Sequence, residues 1–121
     1  IERIAELGII RSRSAAIQAI ARAWPEITPL LAPGARPEAL IERLCALPGF
    51  GAWTAHYIAM RALGWPDAFP PNDVAVLKAL TQWRRGTATT PREAEAHAQA
   101  WQPWRAYAVL RLWNSLEKTT P

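Results

Sequence analysis

The stretch Leu47-Pro48-Gly49-Phe50-Gly51-Ala52-Trp53-Thr54-Ala55 constrains the fold more than any other part of the chain. Helix-like spacing ends before it and resumes inside it, so the backbone must reverse within a few residues. Both glycines are expected to make that turn, since glycine takes positive φ without steric cost and lets another backbone come close. Pro48 fixes φ at the entry and removes a donor. The N–H groups from Gly49 through Phe50 and Gly51 to Ala52 then lack intrahelical partners. Free N–H groups at a helix start attract anions, phosphate above all. A simple helix–helix turn would use the same glycines, so the motif alone leaves both readings open.

A chain of 121 residues suits a single domain, 1–121, with a modest core. Half of it is apolar and seven residues are tryptophan, a composition that excludes a disordered chain. The formal charge is +4, carried almost wholly by arginine, with Lys78 and Lys118 the two lysines. Arginine favours planar, bidentate partners such as phosphate. A solvated basic face has the same composition, so charge is compatible with nucleic acid without requiring it. Cys45 is the lone cysteine, and His56 and His97 are the two histidines. They give no spacing for a metal site or a four-cysteine cluster. Cys45 is expected on the apolar side of its helix, as a core residue. No apolar run reaches membrane-spanning length and no signal peptide is recognisable, which points to a reducing cytoplasm. The chain starts at Ile1, mid-pattern and without Met, and reads as a fragment of a longer protein.

Helical spacing runs throughout, and no period-2 alternation predicts a strand. Ile1, Ile4 and Leu7 share a face that Gly8 closes. Ser12 or Ser14 is expected to cap the next helix, whose Ile17, Ile20, Ala21 and Trp24 form a stripe ending at Pro25. Residues 27–35 read as a loop. Pro37 opens a helix carrying Leu40, Ile41, Leu44 and Cys45, which feeds the hairpin motif at 47–55. The second hairpin helix is predicted from Ala52 to Leu63, stopped by Gly64. A proline-rich connector follows, then a helix from near Asp73 with Val74, Leu77 and Leu80. Thr90-Pro91-Arg92-Glu93 reads as a capping box for a helix to Trp101. Pro103 is expected to open the last helix, through Leu116.

Phe69-Pro70-Pro71-Asn72-Asp73-Val74 is the second informative constellation. The two prolines restrict the approach to the helix that follows. Asn72 or Asp73 is placed to be an N-cap. An aspartate there also sits in the favourable field of the helix N-terminus and is available as a cation stabiliser or general base. Glycosidic cleavage builds positive charge on the sugar, which a single carboxylate beneath it stabilises. Asp67 is the weaker candidate, lying in the loop with nothing in the sequence to fix it.

Three strings together, L-P-G-F-G-x-W-T-A, P-P-N-D and W-Q-P-W-R-A-Y-A-V-L-R-L-W, resemble the 3-methyladenine DNA glycosylase II branch of the helix-hairpin-helix DNA glycosylases. They span essentially the whole chain, in the family's order and spacing. The resemblance implies an all-α fold, the family's helical domain in part, and a bacterial, nucleoid-associated repair enzyme. It implies that Asp73 is catalytic and that Trp53, Tyr57 and Trp113 line the pocket for the flipped base. By the same resemblance Gly49, Phe50, Gly51, Ala52 and Thr54 hold a DNA phosphate, Thr54 hydrogen-bonding within the first helical turn. The implied partner is double-stranded DNA containing alkylated bases, met by a monomer with no membrane role. Family members carry a β-rich domain and further helices ahead of this point, which would complete the pocket and wedge the duplex.

The aromatics fit that implication chemically. Trp53 and Tyr57 are spaced i, i+4, on one helix face. An enzyme acting on a base must extract it from the stack and grip it between rings, and electron-rich indoles attract a cationic alkylated purine. Trp24, Trp83, Trp101 and Trp104 are read instead as packing residues or partly exposed edges. His56 is expected at the surface or in a groove, with no assigned role. Bifunctional relatives place a Schiff-base lysine where this chain has Trp53. Water is therefore the expected nucleophile, with the backbone left uncut. Those relatives often add a four-cysteine iron–sulfur cluster, which one cysteine cannot build. No cofactor is expected, a structural cation at the hairpin being compatible with the motif. The rival readings are a non-catalytic DNA-binding hairpin module and a helical scaffold for a protein partner.

Overall fold

Six α-helices make up most of residues 6–118, the span that the computed structural model describes. They are α1 (Arg11–Ile27), α2 (Pro37–Cys45), α3 (Ala52–Ala62), α4 (Val74–Trp83), α5 (Pro91–Ala98) and α6 (Arg105–Lys118). Short 3₁₀ turns at Thr28–Leu31 and Gln99–Trp101 extend α1 and α5, and no strand occurs among the described residues. The expected stripe of Ile1, Ile4 and Leu7 falls largely outside this span; Leu7 is exposed in a turn.

Two hydrophobic clusters hold the helices. In the first, Ala23 and Ile27 of α1, Leu40 and Leu44 of α2, and Ala55 and Ala59 of α3 are buried together. Alanines at i, i+4 let α3 lie close against the leucine face of α2, and each buried leucine contributes roughly 1.5–3 kcal/mol of transfer free energy. In the second, Val76 and Leu80 of α4, Ala94 and Ala98 of α5, and Ala106 and Val109 of α6 close over Met60, Ala68 and Phe69. α3 thus serves both clusters, and Trp65 packs against both.

Several local expectations give way to tertiary packing. Neither Ser12 nor Ser14 caps α1; the cap position is Ile10, without a side-chain bond. Ser14 is fully buried and its hydroxyl donates back to the carbonyls of Ile9 and Ile10, 3.3 and 3.2 Å away. Pro25 does not end α1. The helix continues to Ile27, because burial of Ile27 fixes the last turn and Thr28 Oγ1 donates to the Trp24 carbonyl at 2.7 Å. Ile17 and Trp24 of the predicted stripe remain largely exposed. Cys45 is exposed rather than in the core, since Leu40 and Leu44 define the buried face and Cys45 lies a hundred degrees round from Leu44. In α4 the buried face is Val76, Ala79 and Leu80, whereas Val74 in the first turn faces solvent. Trp83 and Trp104 are likewise exposed, while Trp101 packs on the second cluster as expected.

The cap signals fared better. Asp73 caps α4 and Thr90 caps α5, each accepting from the backbone N–H three residues on. α5 gives way to the 3₁₀ turn after Ala98, and α6 begins at Arg105 rather than Pro103.

Candidate active site

The hairpin between α2 and α3 is asymmetric. Phe50 N–H donates to the Leu47 carbonyl at 3.2 Å, with Pro48 and Gly49 at the two central positions and Gly49 at φ +83°. That is the arrangement of a type II turn, in which the third residue needs positive φ. A Cβ on Gly49 would sit 2.8 Å from Cβ of Ala16, so α1 buttresses the turn where only glycine fits.

Gly51 behaves otherwise. It has an extended backbone, φ −95° and ψ 177°, and a Cβ there would meet nothing within 4 Å. Only one of the two glycines therefore makes the turn, and nothing inside the described residues requires the second. Gly51 is also the N-cap of α3, where it offers no side-chain acceptor. The N–H groups of Gly49, Gly51, Ala52, Trp53 and Thr54 have no acceptor among the described residues. The Phe50 N–H, expected to be free, is consumed by the turn, and the Thr54 hydroxyl makes none of the expected local hydrogen bonds. What results is an uncapped helix N-terminus with several donors facing outward.

The connector returns the chain to this end of α3. Asn72 takes the left-handed conformation at φ 57°, which asparagine tolerates better than most residues, and so turns Asp73 into the cap position. Asp73 is buried, with 8% of its surface exposed. Its Oδ2 accepts from Val76 N–H at 2.8 Å and from the Trp113 indole at 2.9 Å. Its Oδ1 accepts from the Trp53 indole at 2.6 Å. No arginine pairs with it among the described residues. Carboxylate, hairpin helix and last helix meet here through the Trp53 and Trp113 indoles.

The three aromatics expected to gather there do so, but closed upon one another. Trp53 and Tyr57 stack with centroids 5.1 Å apart and planes 8° from parallel. Tyr57 and Trp113 lie 6.2 Å apart at 39°. A planar guest must take an outer ring face or part these rings. The Arg61 guanidinium lies 5.5 Å from the centre of the Tyr57 ring, one turn further along α3. Arg61 was not singled out from sequence, although its i, i+4 relation to Tyr57 was there to be read. A cleft of about 500 Å³ lined by Trp83, Trp101, Arg111 and Leu112 does not include these residues.

Asp67 is placed differently from expectation, and His56 is half-buried. Asp67 is not loose: Arg105 grips it through Nε and Nη2, each at 2.8 Å, and this bond holds its carboxyl below the usual range. The sequence signal was weak, because the partner lies 38 positions away. His56 turns inward, 6.0 Å from the Trp65 ring, with Nδ1 buried and without a hydrogen-bond partner. Burial, with a smaller contribution from the nearby Arg105 charge, pushes the imidazole below its ordinary value. No group of three or more His, Cys, Asp or Glu side chains able to hold a metal occurs among the described residues. No helix among them is long and apolar enough to cross a membrane.

Comparison with known proteins finds relatives among DNA repair enzymes. No protein-family model matches the chain. It is 37% identical over 122 aligned residues to a Mycobacterium tuberculosis protein named "Probable bifunctional transcriptional activator/DNA repair enzyme AlkA", covering 97% of this chain and 24% of that one. It is 35% identical over 108 residues to DNA-3-methyladenine glycosylase 2 of Escherichia coli, covering 88% of this chain and 36% of the relative. The chain therefore spans between about a quarter and about a third of these relatives. In structure it is similar to the 3-methyladenine DNA glycosylase of S. pombe in complex with abasic DNA, with a TM-score of 0.81 at 23% identity, covering 97% of this chain and 59% of that one.

Proposed function

The chain belongs to the DNA-3-methyladenine glycosylase II family over the stretch it spans, and on that footing we propose that it forms the catalytic and DNA-holding part of a glycosylase that releases alkylated purines from duplex DNA. One observation carries the reading: a buried carboxylate, Asp73, hydrogen-bonded to the indoles of Trp53 and Trp113, with Trp53 in the first turn of the helix whose backbone N-terminus is uncapped. The donors at Gly49, Gly51, Ala52 and Thr54 suit a backbone phosphate beside the lesion. Gly51 caps α3 with open space around it, which leaves room for a phosphate to approach the backbone closely from outside.

In the reaction as proposed, the extruded base is gripped by the Trp53, Tyr57 and Trp113 rings, where a cationic alkylated purine gains cation–π attraction. Breaking the N-glycosidic bond sends its electron pair to the base and leaves positive charge on the sugar. The Asp73 carboxylate stabilises that charge or directs the attacking water. With tryptophan at position 53 and no lysine in the hairpin, no Schiff base forms there and an abasic site remains. The chemistry as written needs no cofactor, and the partner is double-stranded DNA met by a monomer.

A full-length protein carrying this chain, incubated with methylated DNA, should liberate free alkylated bases and accumulate abasic sites. Asp73→Asn should abolish release while retaining duplex binding. Wild-type release by that variant would reduce the chain to a DNA-binding module. Duplex affinity should fall steeply with added salt, because phosphate contacts displace counterions. A flat response would favour a scaffold for a protein partner.

A further inference from the structure

The geometry points to a division of labour between the two oxygens of Asp73, with Trp113 as the positioning residue that enforces it. We propose that Oδ2 is an anchor and that Oδ1 alone serves the reaction; the inference rests on Asp73 being the catalytic residue.

The two oxygens are held unequally. Oδ2 accepts two hydrogen bonds from separate helices: Val76 N–H in α4 at 2.8 Å and Trp113 Nε1–H in α6 at 2.9 Å. Both donors are fixed by their surroundings. Val76 is 1% exposed, and Trp113 packs against the second hydrophobic cluster. The foot of α6 is tied to the connector leading to Asp73, by the Arg105–Asp67 pair and by Ala106 N–H donating to the Pro66 carbonyl at 2.9 Å. α6 and the connector therefore move together, and the carboxylate cannot rotate without breaking both bonds to Oδ2. Oδ1 has one partner, the Trp53 indole at 2.6 Å. Trp53 is 38% exposed, in the first turn of α3 beside the outward-facing hairpin donors. Its N–H is the bond that incoming substrate can replace, so Oδ1 is uncovered on engagement while Oδ2 stays anchored.

Trp113 thus contributes more than a ring wall. Its N–H sets the direction in which the free oxygen points, and misalignment of a reacting group by an ångström is costly to rate without being costly to binding.

Trp113→Phe keeps a ring and removes the donor. In the full-length protein its single-turnover rate of base release should fall roughly 10- to 100-fold, with affinity for duplex holding a stable abasic-site analogue unchanged. Indole Nε1–H resonances give a readout that needs no variant at position 113. Trp53 and Trp113 signals should both move in Asp73→Asn. On addition of the abasic-analogue duplex to wild-type protein, the Trp53 signal should shift and the Trp113 signal should hold. Wild-type release by Trp113→Phe, in a protein whose Asp73→Asn variant is dead, would overturn the anchoring role alone. So would a Trp113 signal indifferent to Asp73→Asn. Wild-type release by Asp73→Asn would instead remove the catalytic reading beneath it.

Discussion

Asp67 and Arg105 meet in a two-pronged ion pair, 2.8 Å at each prong, that joins the connector after α3 to the first turn of α6. Their side chains are 17% and 16% exposed, so the pair is sheltered from the screening that weakens surface pairs. Arg105→Ala should cost about 2–3 kcal/mol, since it leaves a sheltered carboxylate without its fork. Arg105→Lys should restore part of that and lose the bidentate geometry. Urea unfolding of the two variants checks both statements; equal stability to wild type would remove the pair from the framework.

Stability should fall with acid in two stages. His56 has its folded-state value lowered, chiefly by burial, so the fold disfavours its proton while the unfolded chain does not. Its contribution is complete above the ordinary histidine value of about 6.5 and declines as pH drops below that, until the lowered folded value is passed. The Asp67 carboxyl is lowered by its bond to Arg105, so its contribution holds above the usual carboxylate value of about 4 and is lost beneath it. Unfolding free energy followed from pH 7.5 to 3 should show both stages, and His56→Gln should flatten the first alone. An unchanged slope between pH 7 and 5 in that variant would contradict the assignment.

The hairpin glycines should separate on mutation. Gly49→Ala brings Cβ to 2.8 Å from Ala16 at a φ of +83°, and should destabilise by about 1–3 kcal/mol. Ala16→Gly in the same chain should recover the steric part only. Gly51→Val meets open space on extended backbone and should cost at most about 1 kcal/mol as a poorer cap. It should nonetheless weaken binding to any duplex, damaged or intact, by blocking the outward donors. Thermal melts and duplex titrations of the two variants distinguish these effects; tight binding by Gly51→Val would remove the phosphate assignment.

Asn72 holds a left-handed backbone at φ 57° immediately before the carboxylate. Asn72→Gly should be close to neutral, whereas Asn72→Val should cost about 1–2 kcal/mol in forcing a β-branched residue into that region. In the valine variant the Trp113 indole resonance should move as well, because the cap it meets is displaced.

What could be read from sequence was whatever depends on neighbours a few positions apart. Pro37 at a helix start, Asp73 and Thr90 as caps, and the reversal at Pro48-Gly49 all rest on local backbone chemistry. Asp73 stood out by its place after two prolines at a helix start as well as by resemblance, Trp53, Tyr57 and Trp113 by resemblance, and the fold brings them together. The failures share one cause, a partner far along the chain. Asp67 looked loose because Arg105 is distant. Cys45 and Val74 were misplaced because helical spacing defines a stripe without fixing which edge meets a neighbour. Gly51 is the converse case: its place in the motif was evident, but only the empty space around it shows that turn-making is not its purpose.

Trp65 belongs to both hydrophobic clusters, and that shared indole carries a consequence for how the molecule comes apart. Neither group of helices can loosen without stripping cover from the other, so the two should melt as one cooperative unit. Loosening at the far end of α3, where Trp65 sits, is then transmitted to both groups of helices at once, because α3 itself contributes Met60 to one and Ala55 and Ala59 to the other.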